Sequence, residues 1–243
     1  MARLTVIAGP NGSGKTTLTR ELITATPGVH INPDDMATDK AAAEGGTFED
    51  HVAWAATESR EQRDKRIKDG KSVSYETVMS HESHLKVMTK ARGSSMSVSL
   101  IYVLTREPDI NVLRVANRVA TGGHNVPEEK TRGRYTKSLA QLMDAAAIST
   151  SIIVFDNSGA PEEAKIVCVG RQGLLHIHDE LRAVLQRHVP EYVPSSAKFF
   201  QGLSDGVWTE FALDPGILAR DPSDLGRRHR LIHESLTFTP PSE

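Results

Sequence analysis

A chain of 243 residues, 38% hydrophobic and 25% charged, is long enough to bury one full core and carry an appendage, and its ordinary globular composition excludes a disordered polymer and a bundle of membrane spans. Its 29 basic and 31 acidic residues nearly cancel, so the bulk positive excess common among nucleic-acid binders is absent and only a local basic patch would support such binding. The single Cys168 cannot form an intrachain disulfide, and its apolar run Ile166-Val167-Cys168-Val169 reads it as a small buried hydrophobe.

The first predicted element is a strand over about 3–8, the β-prone run Arg3-Leu4-Thr5-Val6-Ile7-Ala8. No apolar signal-peptide core precedes it, which makes the reducing cytoplasm the expected compartment. Next comes Gly9-Pro10-Asn11-Gly12-Ser13-Gly14-Lys15-Thr16, which fills every constrained position of the G-x-x-x-x-G-K-[ST] phosphate-binding loop, with Thr17 after it. Glycines let backbone N–H groups curl around a polyphosphate without Cβ clashes. Lys15 supplies a point charge to the β- and γ-phosphates, Thr16 can place its hydroxyl on Mg²⁺, and a helix over about 15–25 adds the positive end of its dipole.

Further strands are predicted at about 29–31, 72–75, 97–104 and 151–155. Helices are predicted near 47–69, 81–92, 108–121 and 127–146. Thr47 with Asp50 resembles a capping box at the start of the longest helix, and Gly70 closes it. Strands alternating with helices imply an α/β fold: a parallel sheet of about five strands covered by helices on both faces. Ala164–Val169 and Gly173–His178 fit an added hairpin or edge strands. From about residue 186, Pro190, Pro194, Pro215, Pro222, Pro240 and Pro241 punctuate weakly periodic sequence. The division is therefore a P-loop domain over 1–185 and a C-terminal extension over 186–243, packed in part, with Thr237–Glu243 expected to be disordered.

Ligand chemistry in such sheets sits at the carboxyl ends of strands. The second strand is followed by Asn32-Pro33-Asp34-Asp35, the third by Glu76-Thr77, and the fifth by Asp156-Asn157-Ser158-Gly159, a loop suited to a base or ribose. Arg114 and Arg118 lie four apart on one helical face. With the Gly122-Gly123-His124 turn, Pro127 and the Arg132-Gly133-Arg134 run, they form a helical-hairpin lid that can close and exclude water. Acids near an acceptor and arginines over phosphates suit transfer of a phosphoryl group to a hydroxyl.

These residues resemble the zeta-toxin-like P-loop kinases, a family also described as predicted ABC-type ATPases. The similarity rests on Ile7 to Thr17, Ile31-Asn32-Pro33-Asp34, Tyr75-Glu76-Thr77, Arg118 to Glu128 with Arg132-Gly133-Arg134-Tyr135, and Asp156 to Gly159, five motifs in order over about residues 1–180. The resemblance implies a P-loop kinase fold using ATP and Mg²⁺. Its best-known members phosphorylate UDP-N-acetylglucosamine on the sugar 3′-hydroxyl and are restrained by a small antitoxin protein. It further implies Lys15 as the phosphate lysine, Thr16 as the Mg²⁺ ligand and Asp34 as the catalytic base. Glu76 and Thr77 take the acceptor-binding places, and Arg118 with either Arg132 or Arg134 the places of the lid arginines that grip ATP. The plasmid toxins carry Asp-Gly-Asp around the base where this chain has Asn32-Pro33-Asp34, a departure that bears on the acceptor more than on the chemistry.

Other readings stand beside these. Asp34 and Asp35 suit helix capping. Glu76 suits a surface pair with a lysine. His81-Glu82-Ser83-His84 has one residue too few between its histidines for a zinc-protease helix, and His176 with His178 lacks a third ligand. Trp54 and Trp208 read as core or interface anchors. The alternative function is an ATP-gated protein-binding module, or an ATPase without a small-molecule acceptor. Neither nucleic acid nor a membrane is an expected partner.

Overall fold

The computed structural model describes residues 1–24, 26–160, 163–171, 174–192, 198–201 and 207–212. The expected disordered tail Thr237–Glu243 lies outside the described residues, as does the side chain of Trp208.

The first strand, β1 (Arg3–Ala8), is buried from Leu4 onward. It leads through the glycine loop into α1 (Lys15–Thr24) and the short β2 (Val29–Ile31). Two helices follow, α2 (Pro33–Glu44) and α3 (Phe48–Lys68), before the chain returns as β3 (Val73–Thr77). Next come α4 (Ser83–Gly93), β4 (Ser97–Leu104), α5 (Pro108–Ala120), α6 (Glu128–Ala140), α7 (Leu142–Ile148) and β5 (Ser151–Asp156). The C-terminal part adds β6 (Lys165–Arg171), β7 (Leu174–His178), α8 (Asp179–His188), a 3-10 turn over Pro190–Tyr192, β8 (Lys198–Gln201) and β9 (Val207–Ala212).

The strands form one sheet in the order β2-β3-β1-β4-β5-β6-β7-β9-β8. The first five are parallel, matching the five expected core strands. The remaining four extend the sheet antiparallel. The β6–β7 pair is the added hairpin that the apolar runs suggest, and β9–β8 lengthens it within the expected extension. Near-continuous apolar sequence in β4, with Leu100, Tyr102, Val103 and Leu104 all buried, is what a central strand covered on both faces requires.

Three details depart from the expected elements. The helix α2 is absent from the predicted set, although Asn32 caps it, Pro33 occupies its first turn and Asp34 and Asp35 follow there, the ordinary chemistry of a helix start. The single helix expected over 127–146 is two. Gln141 separates α6, which buries Thr131, Tyr135, Ser138 and Leu139, from α7, buried at every position, and this break lets the apolar segment turn into the core. Trp54 is no core anchor: it is 39% exposed and Lys40 Nζ sits 4.3 Å over its ring. The capping box is present, with the Asp50 carboxylate accepting from the Thr47 N–H at 2.8 Å.

The chain leaves β1 for the outer edge, returns to β3 beside it, then crosses to β4 on the other side. That reversal makes the carboxyl end of β1 the topological switch point, where open α/β sheets bind ligands. The glycine loop occupies it.

Candidate active site

The loop is shaped by positive-φ glycines and braced from two directions. Gly12 has φ +76° and a Cβ there would lie 2.5 Å from the Asn111 carbonyl oxygen, while Gly14 has φ +85° and its Cβ would collide with Asn157 Nδ2. No L side chain fits either place without moving the brace. The braces are hydrogen bonds: Asn111 Nδ2 donates to the Asn11 carbonyl at 2.6 Å, and Asn157 Nδ2 donates to the Ser13 carbonyl at 2.8 Å. Both asparagines are buried. Gly9 N donates to the Thr77 carbonyl at 3.2 Å, tying the start of the loop to β3.

Lys15 Nζ donates to the carbonyls of Gly9, at 2.7 Å, and Pro10, at 3.0 Å. Burial lowers its pKa from 10.5 to about 8, against the pull of the Glu76 and Asp34 carboxylates and with a further push from the Arg118 charge. Three of the expected site residues, Glu76, Asp34 and Arg118, thus act electrostatically on the loop lysine.

Glu76 is delivered by register. It pairs with Ile7 across β1–β3, one strand from the loop. Its Oε2 accepts from the Thr16 hydroxyl at 2.9 Å. Its side chain is 9% exposed, and Oε1 has no hydrogen-bond partner among the described residues. His30 Nε2 on β2 stands 3.9 Å from that oxygen, with its Nδ1 at 3.0 Å from Ser74 Oγ. Burial raises the Glu76 pKa, opposed by the Thr16 hydrogen bond and the Lys15 charge. An inward carboxylate beside the loop threonine, with an unspent oxygen, is a hard-oxygen donor set suited to Mg²⁺ and its waters.

Asp34 lies in the first turn of α2 and is exposed. The capping atom is Asn32 Oδ1, which accepts from Asp34 N at 3.0 Å, so the Asp34 carboxylate is not the cap. Thr77 is committed within the protein: its hydroxyl accepts from Met79 N at 2.9 Å and lies 2.9 Å from His84 Nε2. Burial, aided by the charges of Arg63 and His81, lowers His84 to about 4, so it is neutral at physiological pH and its Nε2 can accept a hydrogen bond from the Thr77 hydroxyl.

The arginines divide. Arg134 Nη1 reaches Asn11 Oδ1 in the loop at 3.3 Å. Arg118 Nη2 donates to the His124 carbonyl at 2.8 Å. Arg132 is engaged by exposed ion pairs with Asp109, at 2.5 Å, and Glu128, at 2.8 Å. Arg114 donates to the carbonyls of Asn157, at 2.7 Å, and Gly159, at 2.6 Å, joining α5 to the loop after β5. Thr17 is exposed on the first turn of α1, and Ser13 is buried. Among the described residues no group of three or more His, Cys, Asp or Glu could hold a metal, and Cys168 is buried, its thiol pushed up to about 12.

Sequence reasoning missed Asn111 and His30. Asn111 does carry a signal: it shares the buried face of α5 with Val115, four residues on, and an amide on such a face needs a polar partner. The approach of His30 to Glu76 depends on which strands are neighbours, which one sequence does not state.

This architecture is a kinase-like P-loop fold. Residues 4–145 match the family model described as an AAA domain, AAA_33, over more than half the chain, and the chain belongs to that family. Among solved structures, the native AvrRxo1-ORF1:-ORF2 complex matches with a TM-score of 0.59 at 14% identity, covering 80% of this chain and 66% of that one. The same complex with ATP gives 0.56 at 14%, covering 100% and 66%, and with sulphate ions 0.54 at 16%, covering 70% and 59%. The chain thus spans at most about two thirds of those chains, and at such identities the likeness is one of fold. It agrees with the zeta-toxin-like resemblance at that level. No curated protein matches the chain. Among the described residues no helix is long and apolar enough to cross a membrane.

Proposed function

We propose that the protein is an ATP- and Mg²⁺-dependent small-molecule kinase that transfers the γ-phosphoryl group to a hydroxyl of a metabolite, a nucleotide sugar such as UDP-N-acetylglucosamine being the first candidate. The observation that carries this reading is the electrostatic grouping of two carboxylates, Asp34 and Glu76, with Arg118 around the loop lysine. A switch or motor needs the loop; an exposed acid on a neighbouring helix end, beside the lysine, is what an acceptor hydroxyl needs.

In this mechanism the N–H groups of residues 12–16 and the Lys15 ammonium hold the phosphates. Thr16 would hold Mg²⁺ together with Glu76, whose bond to the Thr16 hydroxyl favours this over the acceptor-binding place the resemblance implies, and the ion would neutralise charge on the transferring group. Asp34 takes the acceptor hydroxyl's proton as the new O–P bond forms and the bond to the ADP oxygen breaks. Arg118 and Arg134 approach the phosphates from the α5–α6 hairpin, and the half-buried Thr77–His84 pair fixes the floor beside β3. The ORF1:ORF2 neighbours are two-component complexes, which supports a protein partner here too, an antitoxin in the zeta-type reading. The cytoplasm is the compartment that fits an ATP-dependent enzyme.

The test is to incubate the protein with Mg-ATP and a panel led by UDP-N-acetylglucosamine and to weigh the products. A gain of one phosphoryl group on an acceptor is expected; release of ADP with no phosphorylated acceptor from the panel defeats the proposal.

A further inference from the structure

We propose that His188, in the last turn of α8, is a positioning residue for the α5–α6 arginines, acting through the ring of Tyr135 and the carbonyl of Arg106; the proposal rests on the reading of the glycine loop as a nucleotide site.

The two helices of the hairpin share one root, the loop Thr105-Arg106-Glu107 between β4 and α5. Tyr135 on α6, fully buried, donates its hydroxyl to the Thr105 carbonyl at 2.7 Å. Thr105 Oγ1 bonds Asn111 Oδ1, and Asn111 in turn braces the glycine loop at Asn11. Arg134, the residue before Tyr135, reaches the same Asn11 from its side chain. Moving the root therefore moves both the loop brace and the arginine.

The helix α8 lies along this root and grips it at both ends. Glu180 in its first turn pairs with Arg106 Nη2 at 3.2 Å. In its last turn, Arg187 pairs with Glu107. His188 touches the supports of both hairpin helices: its ring meets Tyr135 edge-on, centroids 5.1 Å apart at 81°, and its Nε2 is 3.0 Å from the Arg106 carbonyl and 3.5 Å from Glu107 Oε2. Two acceptors around one nitrogen call for a hydrogen on Nε2. Exposed ion pairs contribute little rigidity. A ring 14% exposed, wedged between a buried tyrosine and a backbone carbonyl, contributes more.

The test compares wild type with His188→Ala, His188→Phe, which keeps a ring without the donor, and His188→Gln, which keeps an N–H donor at the end of the side chain. KM for ATP, kcat and hydrogen exchange over residues 105–134 are measured with and without a Mg-bound non-hydrolysable ATP analogue. Expected for His188→Ala is a KM raised roughly fivefold, the size of one neutral hydrogen bond, with faster exchange over the root and hairpin; His188→Gln restores most of both, and His188→Phe restores exchange in part but not KM. Adding His188→Ala to Arg134→Ala is expected to raise KM by less than the product of the two single fold-changes, that is, by less than additive free energies. A lowered Tm with wild-type KM and wild-type exchange at the root, or full additivity with Arg134→Ala, overturns the proposal. If the analogue protects nothing in wild type, the nucleotide reading fails instead, and exchange at the root in the unliganded variants still decides the positioning role: an unchanged rate in His188→Ala sinks it.

Discussion

Lys15 meets two opposing demands: the loop buries its ammonium, which favours the neutral form, while a polyphosphate requires the charged form. With the pKa at about 8 in the protein alone, nucleotide binding above that pH must draw in a proton. ATP affinity is therefore expected to be flat below pH 8 and to weaken above it by up to about tenfold per pH unit. Calorimetric titration across that range checks the slope, and Lys15→Met should lose both the slope and most of the affinity. The same shift bears on folding. Between pH 8 and 10.5 the folded state sheds this proton before the unfolded chain does, so the penalty for burying the charge, present in full below pH 8, is relieved as pH rises. The two candidate lid arginines also separate at this scale. Arg134→Ala is expected to lower turnover at least tenfold, while Arg132→Ala, which breaks only exposed pairs with Asp109 and Glu128, should stay within about twofold of wild type. Steady-state kinetics on the two variants decides this.

At the scale of elements, α2 places the proposed base. Its start is set by Asn32, whose side chain accepts from Asp34 N; Asn32→Ala should cost about 1 kcal/mol of stability and reduce turnover by more than that loss explains, because the turn that orients Asp34 frays. Denaturant unfolding and kinetics on the same sample test both parts. The cap, the proline and the two acids are all legible in the sequence, but beside a phosphate loop they read as site chemistry, which hides the helix they begin. The split between α6 and α7 is not legible, since a helical period runs through Gln141 and only the wholly buried surroundings of Leu142–Ile148 explain the turn. Of the two places Trp54 suggests, core or interface, the structure excludes the core. Its size and apolar ring suggest burial, but the ring lies on the α2–α3 surface under Lys40. The capping box at Thr47 and Asp50, by contrast, depends on residues three apart and needs no tertiary knowledge.

Across the whole molecule, the five parallel strands can be read from the alternation of β-prone and helical segments, and the loop from its own spacing. The order β2-β3-β1-β4-β5 cannot, and that order brings Glu76 to Thr16 and His30 to Glu76. Of the C-terminal strands only the β6–β7 hairpin is legible; the continuation through β9 and β8 joins the extension to the same sheet. Among the described residues one phosphate loop sits at the switch point, with the acids delivered to it from the ends of β2 and β3 and the arginines from the α5–α6 hairpin. The central claim is spatial: Asp34 stands on the far side of the γ-phosphorus from the oxygen that leaves. A crystal structure with Mg²⁺ and a non-hydrolysable ATP analogue measures this directly. The expected result is phosphates seated on the N–H groups of residues 12–16, with the Asp34 carboxylate facing the γ-phosphorus in line with the leaving oxygen across a cavity wide enough for a hydroxyl-bearing acceptor. A carboxylate at residue 34 turned away from the phosphate, with no cavity between them, would contradict the proposed chemistry.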